Sequence, residues 1–217
     1  EISCSLVGSE MCIRDRKLRQ GAREMDMDER HFISPCDCRL SVYPIEPQME
    51  VTIKNTCYTV GSLLRDERLA EHFKDGYLWV FRLSVDDYHR YIYVDNGRES
   101  VRRRIPGVLH TVNPVANDVC PIYKENTREY SLLKSEHFGT LLMMEVGALM
   151  VGKIENRPVM SHVRRGQEKG NFAFGGSTII YMTQKDKVFP DMDILINSAD
   201  GIETKVQIGS RIGKGKN

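Results

Sequence analysis

The sequence predicts a mainly β protein of α+β type, a sandwich or barrel-like body of curved antiparallel sheets with a few short helices. Three observations predict it. Short apolar segments alternate with period two and are bounded by glycine, proline and asparagine. No βαβ alternation and no phosphate-cradling glycine loop occurs, which disfavours nucleotide enzymes of that type. A chain of 217 residues, 41% apolar, is long enough for one domain with a proper core.

The elements are taken in chain order. Residues 5–16 (SLVGSEMCIRDR) show no periodicity that continues into the residues after them and resemble the translation of a sequencing-adapter oligonucleotide. Residues 1–16 are therefore read as an artefactual leader, with the natural N-terminus expected to be missing, and 17–217 as a single domain. Gly21–Glu29 is a polar loop or arm. Ile33–Tyr43 is an extended segment begun by the Ser34-Pro35 turn. Val51–Lys54 and Tyr58–Val60 alternate as short strands. Ser62–Phe73 is predicted as one helix, with Leu63, Leu64, Leu69 and Phe73 apolar among charges and Gly76 as a stop signal. Tyr77–Leu83 is a strongly apolar central strand.

Asp86–Gly97 comes next, and its Asn96-Gly97 predicts a hairpin turn. Ile105–Pro114 is another strand, and Asn126–Leu133 leads into a second strand around Gly139. Thr140–Glu155 alternates across Leu141, Met143, Glu145, Gly147, Leu149 and Val151, its glycines permitting curvature. Strands at Phe172 and Thr178–Met182 flank Gly175-Gly176-Ser177-Thr178. Asp191–Ser198 is a short helix, and Thr204–Gly209 closes as a strand.

A net charge of +1 gives no global field that would favour nucleic acid or anionic lipid. The clusters Arg102–Arg104 and Arg164-Arg165 read as solvated faces. No apolar run reaches the length of a spanning helix. Six scattered cysteines without a framework fit a reducing compartment. Cys36 and Cys38 form a C-x-C pair, but no second pair or histidine cluster completes a metal site, so none is expected.

Chemistry concentrates near residue 177. Glycines inside a strand pattern mark a bulge, a bend or a close approach. Here they place a hydroxyl directly after an unhindered carbonyl, so Ser177 can attack the peptide bond before it. Alone, this is also a plain glycine bulge before a Ser-Thr pair. Asp37 sits in an otherwise apolar extended stretch, His89 follows Asp86-Asp87-Tyr88, and His110 lies in an apolar strand pattern. Serine, histidine and aspartate are the parts of an activated hydroxyl, in which the base takes the proton and the carboxylate orients the base.

Several linked segments carry a family resemblance. They are Ser34-Pro35-Cys36-Asp37, Val85-Asp86-Asp87-Tyr88-His89-Arg90, Ile105 to Pro114 and Asn126-Thr127-Arg128-Glu129. Glu145-Val146-Gly147-Ala148, Gly166 to Phe172, Phe174 to Thr178 and Gly201-Ile202-Glu203-Thr204 come after these in order. From about Lys17 to Lys214 the chain resembles the phosphatidylserine decarboxylases, and more closely their clostridial-type branch.

The resemblance implies self-cleavage at Gly176–Ser177, giving a large chain ending at 176 and a small chain over 177–217. Ser177 would become a covalent pyruvoyl group, the self-generated cofactor. Through a Schiff base on that group, phosphatidylserine would lose carbon dioxide and become phosphatidylethanolamine. Asp37 matches the family's charge-relay aspartate and His89 the histidine of its YHR motif. Many members carry a second histidine three residues on, the self-cleavage base, where this chain has Ile92. Either His89 takes both roles or His110 substitutes. Cys38 stands where relatives commonly have glycine, which would shift Asp37 if that turn needs positive φ.

The implied partners are phosphatidylserine in a membrane and the protein's own two chains. Nucleic acid is not among them, and homo-oligomerisation would be unsurprising. The implied place is peripheral, on the cytoplasmic face of the cell membrane, with the membrane-associating N-terminal part of relatives missing here. The rival reading is an unprocessed, catalytically impaired β-rich lipid-binding module, prompted by Ile92 and Cys38. A conventional hydrolase is disfavoured, because Ser177 lacks the G-x-S-x-G elbow.

Overall fold

Strand β13 (Ser177–Thr183) is buried at every position. A strand with both faces buried must lie between two layers, and its sequence then reads as a continuous apolar run. It sits between β5 (Tyr77–Leu83) and β10 (Thr140–Val146) in an eight-stranded sheet whose pairings are antiparallel. Beyond β5 come β2 (Cys38–Pro44) and β15 (Thr204–Val206). Beyond β10 come β9 (Arg128–Ser135) and β7 (Gly97–Glu99), and β8 (Arg103–Ile105) also pairs with β9. The computed structural model describes residues 23–47, 49–53, 56–84, 86–107, 126–147, 154–158, 161–173 and 177–216.

Side chains alternate across this sheet and build two cores. On one face, Cys38, Leu40, Trp79, Phe81, Leu83, Met143, Ile179 and Tyr181 pack together. Two small sheets cover that face. One orders β1 (His31–Ile33), β16 (Arg211–Gly215) and β14 (Val188–Pro190). The other orders β11 (Ile154–Asn156), β12 (Glu168–Phe172) and β6 (Arg90–Ile92). On the opposite face, Leu78, Leu142, Met144, Ile180 and Met182 pack under the hairpin of β3 (Glu50–Ile53) and β4 (Thr56–Thr59). Helices α1 (Val60–Leu64) and α2 (Glu67–Glu71) complete that layer, and α3 (Met192–Ala199) packs on β2.

The mainly β reading holds, and Tyr77–Leu83 is an interior strand as its apolar run predicts. Several local expectations need correction. Thr140–Glu155 is not one strand, since β10 ends at Val146 and residues 154–155 belong to β11 in another sheet. Gly139, at φ 72°, lies in the turn between β9 and β10 rather than in a strand. Arg165 is buried, not solvated, and donates to the Asp26, Val94 and His31 carbonyls. The helix predicted over Ser62–Phe73 is two short helices, because Arg65 turns left-handed at φ 50° and the Asp66 side chain starts a new helix by accepting from the Leu69 N–H. Asn96-Gly97 does not close a hairpin, since β6 pairs with β12 and β7 pairs with β9, so the two flanking strands belong to different sheets. The Asp191–Ser198 helix is present as α3, with Asp191 at its N-cap. The strand read over Ile105–Pro114 begins as β8, and residues from 108 onward lie outside the described residues.

Candidate active site

Ser177 opens β13, is 1% exposed and pairs in register with Leu83, the last residue of β5. The chain leaving β5 turns at once. The Asp87 carboxylate accepts from the Ser84 N–H at 2.6 Å, and the Asp87 N–H donates to the Ser84 carbonyl at 3.1 Å. An aspartate that bonds backbone in this way stabilises a tight reversal. The reversal delivers His89, fully buried, to the start of β6.

The His89 carbonyl accepts from the Phe172 N–H at 3.0 Å. Phe172 ends β12, the strand that runs into the segment preceding Ser177. His89 is thus tied to the chain entering the Gly176–Ser177 bond. Its turn comes directly after β5, the strand that pairs with the chain leaving that bond.

His89 Nδ1 lies 2.7 Å from the Asp87 carbonyl oxygen. A carbonyl only accepts, so Nδ1 carries the proton and the neutral ring keeps its lone pair on Nε2. That is the tautomer a base acting through Nε2 needs. A main-chain carbonyl orients the ring where the sequence had suggested a carboxylate.

Asp37 is buried just before β2. Its Oδ2 accepts from Arg23 Nη2 at 2.8 Å and its Oδ1 from the Ile208 N–H at 2.8 Å. Among the described residues it bonds no histidine. It is nonetheless brought to the same region, because the Ile92 N–H donates to the Pro35 carbonyl at 3.0 Å and stitches β6 to the Asp37 segment. Cys36, next to Asp37, is fully buried. Burial pushes its thiol well above the usual range, and the Cys38 hydrogen bond and the charges of Asp37 and Asp87 add to this.

The structure therefore draws Ser177, His89 and Asp37 toward one end of the central sheet. His110 lies outside the described residues, as do Gly175 and Gly176. Ile92 is a buried member of the apolar core and moves no proton. Cys38 opens β2 without strain: among the described non-glycine residues positive φ occurs only at Arg65, Asp75 and Asp186. A side chain at this position therefore does not strain the backbone next to Asp37 by that route.

A further set of charges went unnoticed in the sequence. Lys169 on β12 and Glu145 on β10 are fully buried and bonded at 2.7 Å. One signal was available, since Glu145 breaks an otherwise apolar strand. Among the described residues no cluster of three or more histidine, cysteine or acidic side chains offers a metal site.

Fold and site together define a mainly β protein that buries a hydroxyl residue at the head of a central strand, with a tautomer-fixed histidine on the adjoining turn. Comparison with known proteins sharpens this. The phosphatidylserine decarboxylase family model matches residues 13–214. Phosphatidylserine decarboxylase proenzyme 2 of Clostridium acetobutylicum is 46% identical over 199 residues, covering 92% of this chain and 68% of that protein. The proenzymes of Clostridium tetani and Ruminiclostridium cellulolyticum are 41% and 40% identical, covering 92% and 91% of this chain and 68% and 67% of their own lengths. The chain belongs to the phosphatidylserine decarboxylase family.

Proposed function

We propose that this protein is a proenzyme that cleaves itself at Gly176–Ser177 and then decarboxylates phosphatidylserine to phosphatidylethanolamine. The observation that carries the reading is the burial of Ser177 at the head of β13, on the chain directly after the strand that His89 holds. The names of the relatives, proenzymes of a decarboxylase, favour it over an unprocessed lipid-binding module.

In this reading His89 Nε2 takes the Ser177 hydroxyl proton, and Oγ attacks the Gly176 carbonyl carbon. The C–N bond breaks, the Ser177 nitrogen becomes an amine and an ester joins the two halves. A base then removes the Ser177 α-proton, the Cβ–O bond breaks and the Gly176 carboxylate leaves. Water hydrolyses the remaining enamine with loss of ammonia, and the large chain ends at Gly176. Asp37, held by Arg23 and the Ile208 N–H, lies on the segment that β6 bonds through the Pro35 carbonyl and is the candidate for orienting the site.

A pyruvoyl group fits what is present. Ser177 supplies the atoms, its strand is clamped on both sides, and its burial shields a reactive carbonyl from water. Once formed, that group supplies the electron-accepting carbonyl chemistry that lets carbon dioxide leave the substrate. The chain's residues provide orientation, exclusion of water and a proton donor, a task for which His89 is the candidate.

In this reading the site works on a lipid headgroup, so we place the protein peripherally at a membrane surface, on its cytoplasmic face. Among the described residues no helix is long and apolar enough to cross a membrane.

Intact mass spectrometry of freshly expressed protein tests the reading. It should show a small chain beginning at residue 177 with a blocked N-terminus. The Ser177→Ala chain should stay whole and release no carbon dioxide from phosphatidylserine vesicles. Normal cleavage in that variant would overturn the mechanism.

A further inference from the structure

The interior behind Ser177 holds charges that the self-cleavage chemistry does not use. Lys169 Nζ lies 2.7 Å from Glu145 Oε1 and 3.7 Å from Glu99 Oε1, and all three side chains are at most 1% exposed. Asn156 Nδ2 donates to Glu145 Oε2 at 3.1 Å, and Arg102 bonds Glu99 at 3.1 Å. Two cations thus face two carboxylates within the core. Polar groups complete the set: Glu129 stands opposite Glu145 and accepts from the same Asn156 amide at 2.7 Å, and the Tyr93 and Ser131 hydroxyls donate to Glu99, while Met143, Ile179 and Phe172 supply apolar neighbours on the same strands.

Removing such charges from water costs free energy that their attraction only partly offsets. Well-packed apolar residues in their place are often neutral or stabilising. Stability alone therefore gives a weak reason for the pair. Its placement gives a better one.

Glu145 stands directly opposite Ile179 on β13. Ser177 shares that face of the strand, one same-face position earlier. Diagonal neighbours of this kind are about 7–8 Å apart, within reach of a long side chain. Lys169 reaches the same place by a local irregularity. On β12, Glu168 pairs with Ile92 and Gly170 with Tyr91, which leaves Lys169 as the extra residue of a bulge. Bulges re-aim side chains and are frequent beside active sites. Here the bulge turns a lysine into the core, where it meets Glu145.

We infer that the Lys169–Glu145 pair is a positioning device for self-cleavage, clamping β12, which enters the scissile segment, to β10, the neighbour of the strand that leaves it. The inference rests on the self-cleavage reading. An apolar contact would hold these strands together without fixing their relative position, because hydrophobic attraction is non-directional. A charge-assisted hydrogen bond is directional and fixes it.

The test compares full-length chains. The Lys169→Met/Glu145→Leu double variant removes both charges and leaves none unpaired. It should melt no lower than the uncleavable Ser177→Ala parent when both carry that substitution. In the cleavable background it should form the small chain about ten- to a hundredfold more slowly, as expected for small misplacements of reacting groups. Lys169→Arg, which keeps the charge and the bond, should cleave near the parental rate. A purely structural pair would instead give rates that track melting temperature.

A folded double variant that cleaves at the parental rate overturns the inference. Should that variant not fold, Lys169→Met/Glu145→Gln keeps the volume and the Asn156 hydrogen bond, and its rate decides in the same way. A parent chain that never cleaves sinks the self-cleavage reading, and this inference with it. A cleaving parent with a fast, folded double variant sinks the inference alone.

Discussion

Asp95 is fully buried and accepts from the Ser135 hydroxyl, from the His137 N–H at 3.0 Å and from His137 Nδ1 at 2.9 Å. The hydrogen bond from His137 to Asp95 raises the imidazole above its ordinary range, and the charges of Asp95 and Glu29 add to this against a smaller opposing effect of burial. A raised histidine stabilises the fold fully below its unfolded value of about 6.5, and that contribution fades as pH rises through the raised folded value. With 30% of the side chain exposed, solvent screens the interaction and the effect is modest. In the Ser177→Ala background, the parent should melt above His137→Gln at about pH 5.5, and the gap should close by about pH 9. A gap that widens with pH would contradict the assignment. Single residues also show what the sequence could convey about the site. Ser177 and His89 could be named as candidates from the sequence because local segments carry them. That a main-chain carbonyl fixes the His89 tautomer was not, because carbonyls are common to all residues and only the fold aims one.

At the scale of elements, β12 is where pattern reading fails and where the candidate site depends most on backbone shape. Counting alternately back from buried Phe172 puts Gly170 inward and Lys169 outward, yet both are buried. The bulge breaks the period of two, and a one-residue slip reverses every face assignment beyond it. The same logic explains Asn96-Gly97, whose local turn chemistry is real but whose flanking strands have better partners in other sheets. The long apolar strand β5 was legible because its continuous apolar run fits the interior of a sheet, whereas β10, read as alternating, is buried on both faces after Thr140. Gly170 offers a direct test of how tightly β12 is held. A Cβ added there would lie 2.6 Å from Tyr91 Oη, 2.8 Å from the Glu155 carbonyl and 2.9 Å from Asn156 Oδ1. Tyr91 donates to Asn156, and both sit in the layer that carries Lys169. Gly170→Ala should therefore cost about 1–3 kcal/mol, the usual penalty for overpacking a filled site. Denaturant titration of the uncleavable chain measures it, and an unchanged midpoint would show that the layer yields freely.

At the scale of the whole molecule, the expected cut divides the chain but not the fold. The segment after 176 supplies β13, β14, α3, β15 and β16. Of these, β13 lies between β5 and β10, and β16 lies between β1 and β14. Each is hydrogen-bonded on both sides, and for β13 and one edge of β16 the partners come from before the cut. Ile179, Ile180, Tyr181, Met182, Val188 and Ile212 from this segment are all fully buried. Buried apolar side chains of this size contribute about 1.5–3 kcal/mol each, so leaving the fold would expose far more apolar surface than one lost peptide bond could compensate. A strand needing two neighbours also has no folded state to adopt alone. The cleaved protein should elute as one species in native size-exclusion chromatography and melt cooperatively. Its two chains should separate only once denaturant unfolds it, and the small chain alone should remain unfolded after the denaturant is removed. Chains that part under native conditions within hours would show that β13 is not held as the sheet order requires.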